Sequence, residues 1–258
     1  LEGKQFINQT NLYSKEDFEI ICEHNKILRG EVLRLNSHST KFIFLLAGFN
    51  RVYGDFEPEA EEFLKLGYNI VAFDYIGVGF SDSGKVGLGF KEAHELNRVL
   101  KYIELNYSVD YKVAFGHSMG AMTILWHEKI YGDTYDKIIL EALYSSLRTT
   151  LTNRIRSYPI AAFPMVDLIL GWSYLLDGIP FWKFNLKYLM GKNDKQSYLI
   201  LHGVLDRKTR AEQVKRALND IALVKLNFIE FEKAAHEALI NNNRNLWVTS
   251  IESFLNLD

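Results

Sequence analysis

Gly116-His117-Ser118-Met119-Gly120 follows the run Lys112-Val113-Ala114-Phe115 and leads into 119–131, a segment with apolar residues at helical spacing. The pattern is G-x-S-x-G between a strand and a helix, and that context gives it chemical meaning. A strand-to-helix turn this sharp strains the serine backbone and crowds the flanking positions, so residues 116 and 120 must be small. It pushes the Ser118 hydroxyl out of the sheet and aims the first helical N–H groups at whatever that hydroxyl attacks.

Working outward, short apolar runs alternate with longer amphipathic ones. Strands are expected at 17–23, 27–35, 41–47, 69–74, 112–115, 137–141, 198–202 and 226–231. From residue 41 onward they are mostly unbroken apolar runs, such as Phe42-Ile43-Phe44-Leu45-Leu46, suited to strands buried on both faces. Helices are expected at 57–66, 90–104, 119–131, 211–221 and 244–255; in the second, Ala93, Leu96, Leu100 and Ile103 recur at steps of three and four. The fold class is therefore α/β: a mostly parallel eight-stranded sheet flanked by helices, its first two strands forming an antiparallel hairpin around His24-Asn25-Lys26. Segment 145–197 breaks the rhythm. It lacks strand signals and is rich in aromatics: Tyr158, Phe163, Trp172, Tyr174, Phe181, Trp182, Phe184 and Tyr188. It reads as a helical cap inserted into a core domain made of 1–144 and 198–258. Its aromatics would line a pocket for an apolar group or form the cap's own core.

A serine hydroxyl needs a base. Of the seven histidines, His117 lies inside the turn and points the wrong way, His127 falls in the following helix, and His24 and His38 precede the core strands. His94 belongs on a helix surface and His202 ends a strand as buried scaffold. His236, in Lys233-Ala234-Ala235-His236-Glu237, lies between the last strand and the last helix, on the sheet edge that Ser118 occupies. The imidazole in turn needs a carboxylate. Asp206, in His202-Gly203-Val204-Leu205-Asp206, emerges at that edge, and Glu141, ending the preceding strand, competes with it. The order Ser118, Asp206, His236 is the order this sheet architecture uses. Two backbone N–H groups should face a developing oxyanion: Met119, after the serine, and Phe49, in the Gly48-Phe49-Asn50 loop after an early strand.

With these residues in view the chain resembles a serine-nucleophile α/β-hydrolase from about Asp17 onward. Phe73-Asp74-Tyr75-Ile76-Gly77-Val78-Gly79-Phe80-Ser81 is similar to that family's D-x-R-G-x-G-x-S segment, with Ile76 where arginine is common, and His202-Gly203-x-x-Asp206 is similar to its acid loop. The pattern is most similar to the lysophospholipase, monoglyceride-lipase and serine-aminopeptidase-like branch. The resemblance implies triad roles for Ser118, Asp206 and His236 and an oxyanion hole from Phe49 and Met119. Ala47-Gly48-Phe49 departs from the usual His-Gly, though a backbone donor survives that change.

Composition narrows the alternatives. With 48% hydrophobic and 24% charged residues the chain has a globular balance, and a net charge of −2 gives no basic excess for gripping nucleic acid. A single cysteine, Cys22, forms no internal disulfide, and no Cys cluster or His-Glu-x-x-His suggests a metal. Leu1 in place of Met reads as a trimmed or engineered start; with no visible signal or membrane span, a cytoplasmic location is expected. Gly77-x-Gly79-x-x-Asp82 lacks the third glycine of a dinucleotide fingerprint, and Gly79-x-x-x-x-Gly84-Lys85-Val86 lacks the hydroxyl of a P-loop. The expected function is cofactor-free hydrolysis of carboxylic esters of hydrophobic acyl groups through an acyl-enzyme, with a small ester as partner and membrane contact through 160–176 permitted but not required. Thioester cleavage or acyl transfer would use the same three side chains, and a non-catalytic ligand-binding module on this fold is the reading from another class. Oligomeric state is not legible in the sequence.

Overall fold

The unbroken apolar runs form the centre of one eight-stranded sheet. The computed structural model describes residues 2–6, 13–36, 38–156, 162–191, 196–221 and 225–256. In chain order the strands are β1 (Tyr13–Ile21), β2 (Ile27–Leu35), β3 (Lys41–Leu46), β4 (Asn69–Asp74), β5 (Tyr111–His117), β6 (Lys137–Glu141), β7 (Ser197–Gly203) and β8 (Lys225–Phe231). They lie in the order β1-β2-β4-β3-β5-β6-β7-β8. The β1–β2 and β2–β4 pairs are antiparallel and the others parallel. Every residue of β4 and β6 is buried, whereas the edge strands β1 and β8 alternate.

The helices are α1 (Glu57–Lys65), α2 (Phe90–Asn106), α3 (Met119–Tyr131), α4 (Leu147–Ile155), α5 (Ala162–Asp177), α6 (Leu186–Met190), α7 (Ala211–Asn219), α8 (Leu239–Asn242) and α9 (Arg244–Leu255). Each element expected from the sequence is present within a few residues. β1 begins earlier than expected and stops at Ile21, because Cys22 N–H donates to the Lys26 carbonyl at 2.7 Å and closes the hairpin, with His24 and Asn25 both at φ 56. Helices α4, α5 and α6 all lie between β6 and β7. Among the described residues no helix is long and apolar enough to cross a membrane.

The glycine-rich segment after β4 is a knot that ties sheet to loops. Buried Asp74 accepts from Tyr53 N–H through Oδ1 and from Phe80 N–H through Oδ2, both at 2.9 Å. Ser81 Oγ donates to the Asp74 carbonyl at 2.5 Å and accepts from Arg29 N–H at 2.8 Å. Gly79, at φ 53, has no room for a side chain: a Cβ there would lie 1.8 Å from Asp74 Oδ2. The segment that mimics nucleotide fingerprints is therefore a scaffold turn. Asp74→Ala would leave two amides without their acceptor; we expect it to lower the urea unfolding free energy by about 2–4 kcal/mol.

Candidate active site

The β5–α3 turn places Ser118 at φ 53 and ψ −106, a left-handed φ unusual for serine. Its N–H donates to the Glu141 carbonyl at 2.8 Å, anchoring the turn to β6. A Cβ on Gly120 would lie 2.0 Å from the Leu46 carbonyl oxygen, so only glycine lets α3 approach β3 this closely.

Across the sheet edge Ser118 Oγ lies 3.1 Å from His236 Nε2, and His236 Nδ1 lies 2.6 Å from Asp206 Oδ2. The structure thus brings together three side chains far apart in sequence. The Asp206 side chain is fully buried, that of His236 is 11% exposed, and Ser118 is buried. Burial alone would raise the Asp206 pKa. The hydrogen bond and charge of His236, with the hydroxyl and N–H of Thr209, outweigh it and hold the carboxyl well below its usual range. Asp206 is therefore an anion at neutral pH, suited to orient an imidazole and stabilise its charged form.

The competing acid has other work. Glu141 Oε1 accepts from Leu239 N–H at 3.2 Å and Oε2 from Trp247 Nε1–H at 3.1 Å. Its burial, with Glu59 nearby, pushes its pKa up to about 8. His117 is buried with its ring against Gly48, and burial, then Arg51 and His236, hold its pKa well below the usual range, so it stays neutral. His202 is fully buried scaffold, within 3.1 Å of the Leu143 carbonyl.

The loop after β3 lies on the turn: a Cβ on Gly48 would come within 2.8 Å of His117 Nδ1 and 3.4 Å of Ser118 Cβ. Among the described residues neither Phe49 N–H nor Met119 N–H has a hydrogen-bond acceptor, and Met119, the first residue of α3, has no intrahelical partner. Both donors are thus free beside Ser118.

Sequence reading missed Thr209. Its hydroxyl donates to Asp206 Oδ2 at 2.5 Å, and its N–H and that of Lys208 donate to Oδ1 at 3.0 and 2.8 Å. Among the described residues, His236 and Thr209 are the partners of Oδ2. A hydroxyl three residues after a loop aspartate, where it can close an Asx-type turn, was the available signal.

Comparison with known proteins agrees with this architecture. Residues 41–142 match the sequence model of the alpha/beta hydrolase fold. An esterase of Pyrococcus furiosus is similar, with a TM-score of 0.75 at 20% identity, covering 99% of this chain and 98% of that one. An esterase from Exiguobacterium antarcticum gives 0.69 at 17% identity, covering 93% and 99%. Acetyl xylan esterase 1 from Thermoanaerobacterium sp. gives 0.68 at 15% identity, covering 97% and 87%. No curated protein matches by sequence.

Beneath the site, burial pushes Glu59 up to about 7, and both its oxygens lack protein partners among the described residues. Glu59 and Glu141 therefore keep protons in the folded state that the unfolded chain releases above about 4.5. Their contribution to stability is full below that pH and is lost as pH rises through about 7 to 8. The melting temperature should fall between pH 5 and pH 8, and the fall should be shallower in Glu59→Gln. Identical slopes in wild type and variant would contradict this assignment.

Proposed function

Given that this chain has the α/β-hydrolase fold, we propose that it is a serine hydrolase of carboxylic esters. The observation that carries this reading is the continuous line from Ser118 Oγ through the His236 ring to Asp206 Oδ2, at 3.1 and 2.6 Å. His236 Nε2 takes the Ser118 proton as Oγ bonds to the acyl carbon. The N–H groups of Phe49 and Met119 stabilise the oxyanion. The carbonyl re-forms, the bond to the leaving alcohol breaks, and the imidazolium protonates that alcohol. Water then gives its proton to His236 while its oxygen attacks the acyl-enzyme, releasing the acid and returning the proton to Ser118. No metal, cofactor or second substrate besides water enters these steps.

The acyl group is hydrophobic in this proposal. Phe49 beside the turn and Val204 and Leu205 next to Asp206 present half-exposed apolar side chains, and the exposed Leu168, Trp172 and Leu175 of α5 would add to them. Segment 145–197 acts as the cap over this edge, with 1–144 and 198–258 as the catalytic core.

Ser118→Ala should lower p-nitrophenyl ester turnover by about 10³-fold or more with an unchanged circular dichroism spectrum. A fluorophosphonate should label Ser118 in the wild type alone. Undiminished turnover, or no labelling, would overturn the assignment. Across an acyl series kcat/KM should rise from acetyl to octanoyl; the opposite trend would overturn the hydrophobic acyl group. Thr209→Val should cut kcat about tenfold with little change in KM, because Asp206 loses a donor that fixes its orientation, and Thr209→Ser should recover most of the loss.

A further inference from the structure

A second recess lies outside this machinery. It is a cavity of about 350 Å³ bounded by the β1–β2 turn, the loop after β4 and one face of α2, and neither Ser118, Asp206 nor His236 lines it. Lys26 comes from the turn, Lys85 from the loop, and Lys91 and Arg98 from the helix. Two carboxyl groups, Glu23 and Glu95, share the wall. We propose that this recess binds a small organic phosphate monoester, and that the ligand competes with Asp177 for Lys85 and Lys91.

The charge distribution points this way. Burial and nearby Glu92 hold the Glu95 carboxyl well above its usual range, and its Oε2 accepts from Ile76 N–H at 3.1 Å. Burial likewise pushes the Cys22 thiol up to about 11. The lining carries four basic side chains against the two carboxyl groups of Glu23 and Glu95, in a chain whose net charge is −2. Arg98 has no hydrogen-bond or ion-pair partner among the described residues, which leaves a planar guanidinium fork open to phosphate oxygens. The volume suits a small metabolite and exceeds what a bare ion fills.

The partners already present set the competition. Asp177, the last residue of α5, lies 2.9 Å from Lys85 Nζ and 3.8 Å from Lys91 Nζ. It holds these two lysines without itself lining the recess. Lys26 Nζ donates to the Ser83 carbonyl at 2.5 Å, an uncharged contact that leaves its charge unneutralised. A ligand drawing Lys85 and Lys91 inward releases Asp177, and with it an attachment of α5 to the core.

Isothermal titration of the full chain with glycerol 3-phosphate at low ionic strength tests this. Saturable binding is expected, tighter than that of sulfate. It should weaken about tenfold or more in Lys91→Gln/Arg98→Gln, with an unchanged melting temperature. It should tighten several-fold in Asp177→Asn, which removes the competing carboxylate. Ser118→Ala should bind as the wild type does, so the recess is tested apart from the catalytic reading. Absence of binding at millimolar ligand, affinity no better than for sulfate, or equal affinity in the double variant would overturn the site. Unchanged or weaker binding in Asp177→Asn would overturn the competition. Sedimentation with phosphatidic acid vesicles, without binding of the soluble ester, would overturn a small-molecule ligand.

Discussion

The close approach of α3 to β3 is the constraint on which the rest depends. Gly120 faces the Leu46 carbonyl oxygen, and a Cβ on Gly116 would lie 2.5 Å from the Gly120 carbonyl carbon. Any side chain at either position would lift the helix off the sheet. With both absent, the chain turns from strand to helix within one residue, and Ser118 accepts the positive φ that the turn requires. Its hydroxyl then stands at the start of α3, where the first helical N–H groups lack internal partners. The same closeness seats the Gly48 loop on the turn, so one steric condition sets both the Ser118 hydroxyl and the two amides beside it that lack acceptors among the described residues.

The histidine loop is fixed at both ends. On one side Leu205 N–H donates to the Ala234 carbonyl at 2.9 Å, and Gly203 lies against the Ala234 and Ala235 carbonyls with no space for a side chain. On the other, Glu141 holds Leu239 N–H and Trp247. His236 stands between these anchors. The two carboxyl groups therefore diverge in chemistry. Asp206, ringed by four donors, is an anion; Glu141, in an apolar surround beside another carboxyl, keeps its proton. The sequence favoured Asp206 with Glu141 as its competitor, because Glu141 ends β6 at the edge where the loop after β7 carries Asp206.

Much of the fold was legible because the central strands are buried on both faces and write themselves as unbroken apolar runs. The start of β1 was harder: Tyr13-Ser14-Lys15-Glu16 is an edge segment whose polar residues carry no burial signal. That helices rather than strands fill the stretch between β6 and β7 was legible, but their packing was not. Of the described aromatics in that stretch only Phe184 is buried, while Trp172 and Trp182 are 59% and 51% exposed. These rings do not form a core of their own, and Tyr158 lies outside the described residues. Helix α5 is apolar nearly all round, so periodicity could not say which face would turn inward. Ser118, Asp206 and His236 were legible through spacing and strand context. Thr209 was not, because its role rests on a side-chain rotamer within a tight turn.

The segment between β6 and β7 divides into a part that supports Asp206 and a part that does not. Lys208 donates its N–H to Asp206, and its carbonyl accepts from Thr150 Oγ1–H at 3.0 Å and Asn153 Nδ2–H at 3.1 Å, both on α4. Through one residue, α4 holds the acid loop in place. Phe184 reinforces that half by meeting Trp126 of α3 edge-on at 5.0 Å and accepting from Leu147 N–H. Helix α5 has no such tie to the acid loop among the described residues. Val166 and Leu170 are its buried side chains, and its ion pairs are solvent-accessible ones, to Arg148, Lys85 and Lys91. Exposed pairs contribute little and weaken with salt. Its local stability is therefore low beside that of α4. Displacing α5 leaves the Lys208 bridge intact, whereas displacing α4 removes two of the hydrogen bonds that hold the peptide next to the aspartate.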